Sequence, residues 1–174
     1  MAAVIDYLDE LEIGVCLRVN QFGRYESVRA FFAVISRLGD WYFWAAMGGL
    51  LYVMEGPASL GAIAHLLVTA IVGIAVYKLL KRNLVRERPF VHNGSIKCGT
   101  APLDRYSFPS GHTLHAVSFT IMLTHLDPLF LSLCLPFAVL VAVSRIVLGL
   151  HYPSDVLVGA AIGAVIGTQS AAWL

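Results

Sequence analysis

The sequence predicts an all-α, integral membrane helix bundle with about five transmembrane helices plus an N-terminal interfacial helix. Three observations carry that prediction. Apolar residues make up 58% of the 174 residues and charged ones 13%, and the mean hydropathy is +0.75, well above the apolar share of ordinary soluble domains. Apolar runs long enough to cross a bilayer recur along the chain. The residues able to do chemistry collect at the ends of those runs. The pattern reads as one domain over 1–174, with an amphipathic segment at 1–27 and a transmembrane core at 41–173. It shows no second domain, low-complexity tract or long-period repeat.

The elements follow in order. Val4, Leu8, Leu11 and Val15 are spaced for one helical face, with Ile5 beside them and carboxylates between, so the N-terminus reads as an interfacial helix; packing on the bundle is the plainer alternative. Residues 28–38 are apolar but too short to span alone, and Gly39-Asp40 interrupts them. Trp41 to Met54 gives the first span, with Trp41, Tyr42 and Trp44 as interface anchors. Ser59 to Leu80 is the clearest span, about 22 residues against the roughly 20 required. A polar loop covers about 90–108. Residues 110–126 form a short third span ended by Asp127-Pro128, Leu129 to Leu148 a fourth, and Pro153 to Trp173 a fifth. In the fifth, Gly159, Gly163 and Gly167 recur every four residues and offer a smooth face for close packing.

Several function classes fall away. A net charge of +1 leaves no basic stripe for nucleic acid once the motif cations are set aside. Cys16, Cys98 and Cys134 have no metal-like spacing and are odd in number, which argues against a disulfide framework. Asp6, Asp9, Glu10 and Glu12 replace the basic start of a cleaved signal peptide. No EF-hand loop, HExxH, P-loop or GxGxxG occurs, so no metal and no cofactor is expected.

Three clusters remain. Lys81 and Arg88, with Arg86 between them, follow the second span; snorkelling to headgroups is the plain reading, and a clamp for an anion the sharper one. Pro109-Ser110-Gly111-His112 looks like a helix start, with Pro in the first turn and Ser as cap. Free N–H groups there make a phosphate cradle, Gly111 admits a ligand closely, and His112 can serve as general acid or base. Ser144-Arg145 and His151-Tyr152-Pro153-Ser154-Asp155 form the third cluster. Pro153 opens the fifth helix, and Asp155 in its first turn can accept from one imidazole nitrogen of His151, leaving the other nucleophilic. Arg145 is costly at the end of an apolar helix without a partner or a function. With five spans, all three clusters converge at one membrane level. His65 and His115 read as packed or hydrogen-bonded, Asp104, Arg105 and Tyr106 as substrate contacts or loop-shaping residues, and Asp40 as a helix cap.

In order, Lys81…Arg88-Pro89, Pro109-Ser110-Gly111-His112 and Ser144-Arg145…His151…Asp155 resemble the three signatures K-x6-R-P, P-S-G-H and S-R-x5-H-x3-D of the type 2 phosphatidic acid phosphatase superfamily. The resemblance covers about residues 78–160 by motif. It implies that His151 attacks phosphorus to form a phosphohistidine while Asp155 orients it. His112 then protonates the leaving oxygen and activates water. Lys81, Arg88, Arg145, Ser110 and the Gly111 amide stabilise the equatorial oxygens, without a metal ion. The substrate it implies is a lipid phosphate or diphosphate held in the bilayer, such as undecaprenyl diphosphate, phosphatidylglycerophosphate or phosphatidic acid.

Competing readings are a lipid phosphotransferase using the same phosphohistidine, a vanadate-dependent haloperoxidase, whose solubility conflicts with continuous apolar spans, and an inactive lipid-binding bundle. Many bacterial relatives have six spans, and this chain reads as lacking the first, so its N-terminus would lie on the active-site side. The expected location is the cell (inner) membrane, multi-pass. The resemblance implies an outward-facing site, whereas all twelve Lys and Arg fall on the site side, which the positive-inside rule places in the cytoplasm. The pattern specifies no oligomeric state.

Overall fold

A computed structural model of the chain describes residues 2–102 and 104–174, with backbone alone for residues 2–6 and Leu8. Among the described residues every regular element is helical. Helix α1 spans Ala2–Asn20, α2 Glu26–Arg37, α3 Phe43–Glu55, α4 Leu60–Asn83, α5 the single turn Pro89–His92, α6 Gly111–Leu126, α7 Leu129–Val147 and α8 Pro153–Ala171. Among the described residues three stretches are long and apolar enough to cross a membrane: Glu26–Asn83, Leu129–Val147 and Pro153–Ala171. The first comprises α2–α3 and α4, joined through the turn Gly56–Ser59. Helix α6 is 16 residues long. It is short because it runs through the middle of the bundle, where Thr113, Leu114, Ala116, Ser118, Thr120, Met122 and Leu123 are buried.

Gly39-Asp40 does not interrupt the chain as the sequence suggested. Residues Leu38–Tyr42 form a π-helical turn that joins α2 to α3, so residues 28–38 are the upper half of one long helix. Gly39 sits at its crossing with α7, where a side-chain carbon would lie 2.9 Å from Val141. Trp41 and Tyr42 are exposed and stacked, as interface anchors would be. Trp44 is not an anchor: it is buried and donates its indole N–H to the Gly39 carbonyl at 3.2 Å. There it joins Leu51, Leu123, Phe130, Phe137 and Val141 in the main apolar core.

Helix α8 fits against α6 through the predicted glycine face. A methyl at Gly159 would meet the Ser110 carbonyl oxygen at 2.5 Å, and one at Gly167 the Ser118 Cα at 2.9 Å. Only bare backbone lets the two helices approach this closely. Gly149, at φ +71°, reverses the chain after α7 in a conformation that side chains resist, and so delivers His151 to the end of the bundle.

Helix α1 presents an unexpected face. Leu11 and Val15 of the predicted apolar stripe point outward, 58% and 45% exposed. Asp9 and Cys16 are turned inward and buried. The side chains of Val4, Ile5 and Leu8 lie outside the described residues. The helix therefore docks by a mixed face, Asp9 and Glu12 beside Ile13, Cys16 and Leu17, and Leu11 and Val15 are free to meet lipid. Asn20 fixes its end, donating to the Lys97 and Val147 carbonyls, each at 2.9 Å, and accepting from the Lys97 N–H.

The glycine face makes a testable prediction. A methyl at Gly163 would collide with the Leu114 backbone, whereas one at Gly61 would meet nothing within 4 Å. Overpacking costs about 1–3 kcal/mol, so Gly163→Ala should lower the thermal unfolding midpoint in detergent and Gly61→Ala should not.

Candidate active site

Three chain reversals bring the polar clusters together where α4, α6, α7 and α8 meet. Lys81, Arg88, Gly111, His112, Arg145 and His151 line a cavity of about 210 Å³, with Asp40, Tyr77 and Asp104 at its edges. Ser110 and Asp155 are fully buried and stand behind Gly111 and His151. The Ser110 N–H donates to the Asp155 carbonyl at 3.0 Å, which ties the second cluster to the third. All eight expected residues thus come to one place.

His151 lies between α7 and α8, its N–H donating to the Arg145 carbonyl at 3.1 Å. Its Nδ1 lies 3.4 Å from Asp155 Oδ2 and has no closer partner. The expected carboxylate and imidazole face each other without a hydrogen bond, across a gap of the kind that tightens when an active site fills. Nε2 lies 3.4 Å from Arg88 Nη1, so it faces the cavity. Burial, then the charges of Arg88, Arg145 and Lys81, hold this imidazole well below its usual range. An imidazole held towards its neutral form, with Nε2 facing the cavity, can act as a nucleophile.

The cations differ in how far they are satisfied. Lys81, in the last turn of α4 rather than past it, donates to Asp104 Oδ1 at 2.8 Å and to the Tyr106 carbonyl at 2.7 Å. Arg88 reaches the same Asp104 oxygen at 2.8 Å and the Leu150 carbonyl at 2.8 Å. Asp104 therefore spans two members of the clamp. Arg145 is fully enclosed, and its Nη1 donates to the Ser36 hydroxyl of α2. Its Nε has no partner, and no carboxylate pairs with it among the described residues. An unmatched buried guanidinium aimed into a cavity calls for an anion. Arg86 turns away from the cavity and takes no part in the clamp.

The second cluster is built differently from its expected form. Pro109 precedes the cap instead of entering the first turn. Ser110 occupies the cap position, but its hydroxyl bonds the Thr113 hydroxyl at 3.0 Å. His112 Nε2 meets Asp40 Oδ1 at 2.6 Å, so Asp40 is a site residue and not a helix cap. A lone acid between two apolar runs was the available signal. His65 bonds Ser170 across α4 and α8 at 2.9 Å, as a packed histidine should. His115 stacks on Phe119 and also borders the cavity. Arg105 lies over the ring of Tyr106.

Below the cavity an apolar groove of about 640 Å³ opens between α3 and α4. It is lined by Trp41, Trp44, Gly48, Gly49, Leu66 and Leu67 among others, and it shares Asp40, Ile74 and His115 with the cationic cavity. The cavity and the groove therefore adjoin at these three residues.

The profile of the PAP2 superfamily matches residues 62–174. The chain belongs to that superfamily. It is a membrane-embedded PAP2 lipid phosphatase, a hydrolase of phosphoric ester bonds. A protein of Sulfolobus acidocaldarius named undecaprenyl-diphosphatase is 28% identical over 92% of this chain and 76% of its own length. The decaprenylphosphoryl-5-phosphoribose phosphatase of Mycobacterium tuberculosis is 37% identical over 56% of this chain, and the match spans 53% of that relative. Among solved structures, the Aquifex aeolicus LpxE crystal structure superposes with a TM-score of 0.78 at 25% identity, covering 92% of this chain and 94% of that one. The phosphatidylglycerolphosphate phosphatase of Bacillus subtilis shares the fold, with a TM-score of 0.71 at 21% identity over 98% of this chain and 86% of that one.

The depressed His151 makes the PAP2 fold pH-sensitive in a stated direction. An imidazole kept neutral when folded but protonated when unfolded favours unfolding below its ordinary value of about 6.5. Its contribution is therefore absent above that pH and grows as pH falls. Thermal unfolding in detergent should show stability falling between pH 6.5 and pH 5, with a shallower fall in His151→Asn.

Proposed function

We propose that this PAP2 phosphatase removes phosphate from a prenyl-type lipid, undecaprenyl diphosphate first among candidates, through a phosphohistidine on His151. The observation that carries this reading is that the cationic cavity and the apolar groove adjoin, sharing Asp40, Ile74 and His115. A substrate that fits both is a phosphate with a hydrocarbon tail. The Sulfolobus and Mycobacterium relatives bear names built on prenyl phosphates, which favours such a tail over phosphatidylglycerophosphate or phosphatidic acid.

In this mechanism Lys81, Arg88 and Arg145 hold the three equatorial oxygens, with Ser110 and the Gly111 amide at the head of α6. His151 Nε2 attacks phosphorus while the bond to the leaving oxygen breaks, and Asp155 supports the positive charge that grows on the imidazole. His112 gives its proton to the leaving oxygen. It then takes a proton from water, whose oxygen attacks the phosphohistidine, releasing inorganic phosphate and restoring the neutral imidazole. Stabilising the spreading negative charge is the main task in such a transfer, and Arg145, with its unpaired donor, is the residue most available for it. All the groups needed come from this chain, and the scheme uses no metal.

The protein is further proposed to be a multi-pass protein of the cell membrane. Setting aside Lys81, Arg86, Arg88 and Arg145, the span order read from the sequence puts the other eight of the twelve Lys and Arg at the site end too, which favours a cytoplasmic face. Cys98 is exposed while Cys16 and Cys134 are buried. A maleimide that cannot cross membranes should then label Cys98 only after cells are opened, and labelling of intact cells would put the site outside.

The deciding assay is phosphate release by purified protein in detergent with EDTA present. Undecaprenyl diphosphate, phosphatidylglycerophosphate and phosphatidic acid are compared, each with His151→Ala. Release should be greatest from undecaprenyl diphosphate and fall by several powers of ten in the variant. A phosphorylated acceptor lipid in place of free phosphate would mark a phosphotransferase, and equal release from all three would remove the prenyl preference.

A further inference from the structure

Arg86 lies inside the spacer of the first signature, yet it has nothing left to offer a substrate. It is 2% exposed. Its Nε donates to Asp9 Oδ1 at 2.7 Å, Nη2 to Glu12 Oε2 at 2.8 Å, and Nη1 to Ser154 Oγ at 2.7 Å and Asp155 Oδ1 at 2.6 Å. Nη2 also pairs with Asp9 at 2.7 Å. Of the five N–H groups of a guanidinium, four are hydrogen-bonded, and the Nη2 edge also lies against Asp9. Its plane lies over the Tyr152 ring at 4.0 Å, which closes the remaining side.

The other end of this arrangement is the nucleophile's own partner. Asp155 has no exposed surface, and a carboxylate enclosed to that degree needs a cation or donors to remain charged. Its Oδ1 takes Arg86, and its Oδ2 takes the Tyr152 N–H at 2.9 Å. The carboxylate is thereby turned so that Oδ2 faces His151 Nδ1. Glu12 adds a second hold on the same turn, accepting from the Ser154 N–H at 2.7 Å and the Ser154 hydroxyl at 2.6 Å. One guanidinium thus joins the α8 carboxylate behind the nucleophile to two carboxylates of α1, a helix outside the matched family region.

We infer that Arg86 is a positioning residue for the His151–Asp155 couple, and that Asp9 and Glu12 make α1 a working part of the active site by fixing Arg86. This rests on the reading of His151 as the nucleophile. Outer partners of a reacting group commonly affect activity about 10–100-fold. Because Arg86 touches no substrate, its loss should appear in kcat and leave KM nearly alone.

The test uses the full chain in detergent as wild type, Arg86→Gln, Arg86→Lys and the double variant Asp9→Asn/Glu12→Gln. Two readouts are taken: kcat and KM for phosphate release, and calorimetric affinities for inorganic phosphate and orthovanadate. Phosphate needs only the cavity cations, whereas vanadate gains its extra affinity by bonding to a correctly aimed imidazole, as a transition-state analogue does. Arg86→Gln should lower kcat about 10–100-fold and weaken vanadate by a similar factor, with KM and phosphate affinity within about threefold. Arg86→Lys should recover part of the loss. The double variant, which keeps Arg86, should lose kcat and vanadate affinity at constant KM.

Wild-type kcat and vanadate affinity in Arg86→Gln would overturn the inference, as would a parallel loss of phosphate and vanadate affinity. If Arg86→Gln does not fold, wild-type values in the double variant overturn it equally. A wild type that releases no phosphate from any lipid would sink the proposed function instead, and the vanadate-to-phosphate comparison would still decide the role of Arg86.

Discussion

Four cations, Lys81, Arg86, Arg88 and Arg145, are buried at one level of a bundle that is otherwise largely apolar, and the cost of keeping them there organises the rest. Charged groups enclosed in this way require partners or a function. Three solutions are visible. Lys81 and Arg88 share Asp104, Arg86 is paired with three carboxylates, and Arg145 keeps a donor in reserve. The polar loop, the acidic face of α1 and the π turn that carries Asp40 all serve this arrangement. An isolated apolar bundle would need none of them.

The same constraint explains why α1 is inverted. A helix held by Asp9 and Glu12 on a buried guanidinium through charge-assisted hydrogen bonds, with Ile13, Cys16 and Leu17 packed beside them, leaves Leu11 and Val15 outward. Periodicity alone cannot distinguish such a helix from one that buries its apolar stripe. The deciding information lies some seventy residues away, at Arg86, and spacing along the chain does not record it.

Much of the site was legible because its residues stand at spacings and helix ends that have direct chemical meaning. Lys81, Arg88, Ser110, Gly111, His112, Arg145, His151 and Asp155 were all singled out from sequence, and all eight converge. The glycine face of α8 was equally readable, since a four-residue repeat has one packing consequence. Asp40, Ser36 and Arg86 were misread or overlooked. Each draws its meaning from a partner on a distant element: His112, Arg145 and Asp155 respectively. Trp44 misled for a related reason, because an aromatic near a polar residue resembles an interface anchor until a neighbouring helix covers it.

The π turn at Leu38–Tyr42 has a consequence for comparing this chain with its relatives. Each residue of an α-helix advances the side chains by about 100° around the axis, so the turn sets the phase between the half holding Ser36 and the half holding Trp44. A one-residue insertion or deletion here is a rotation of one half-helix against the other, not a change in loop length. A relative with a gap at this point would offer its pocket a different row of side chains, however well the signature residues align.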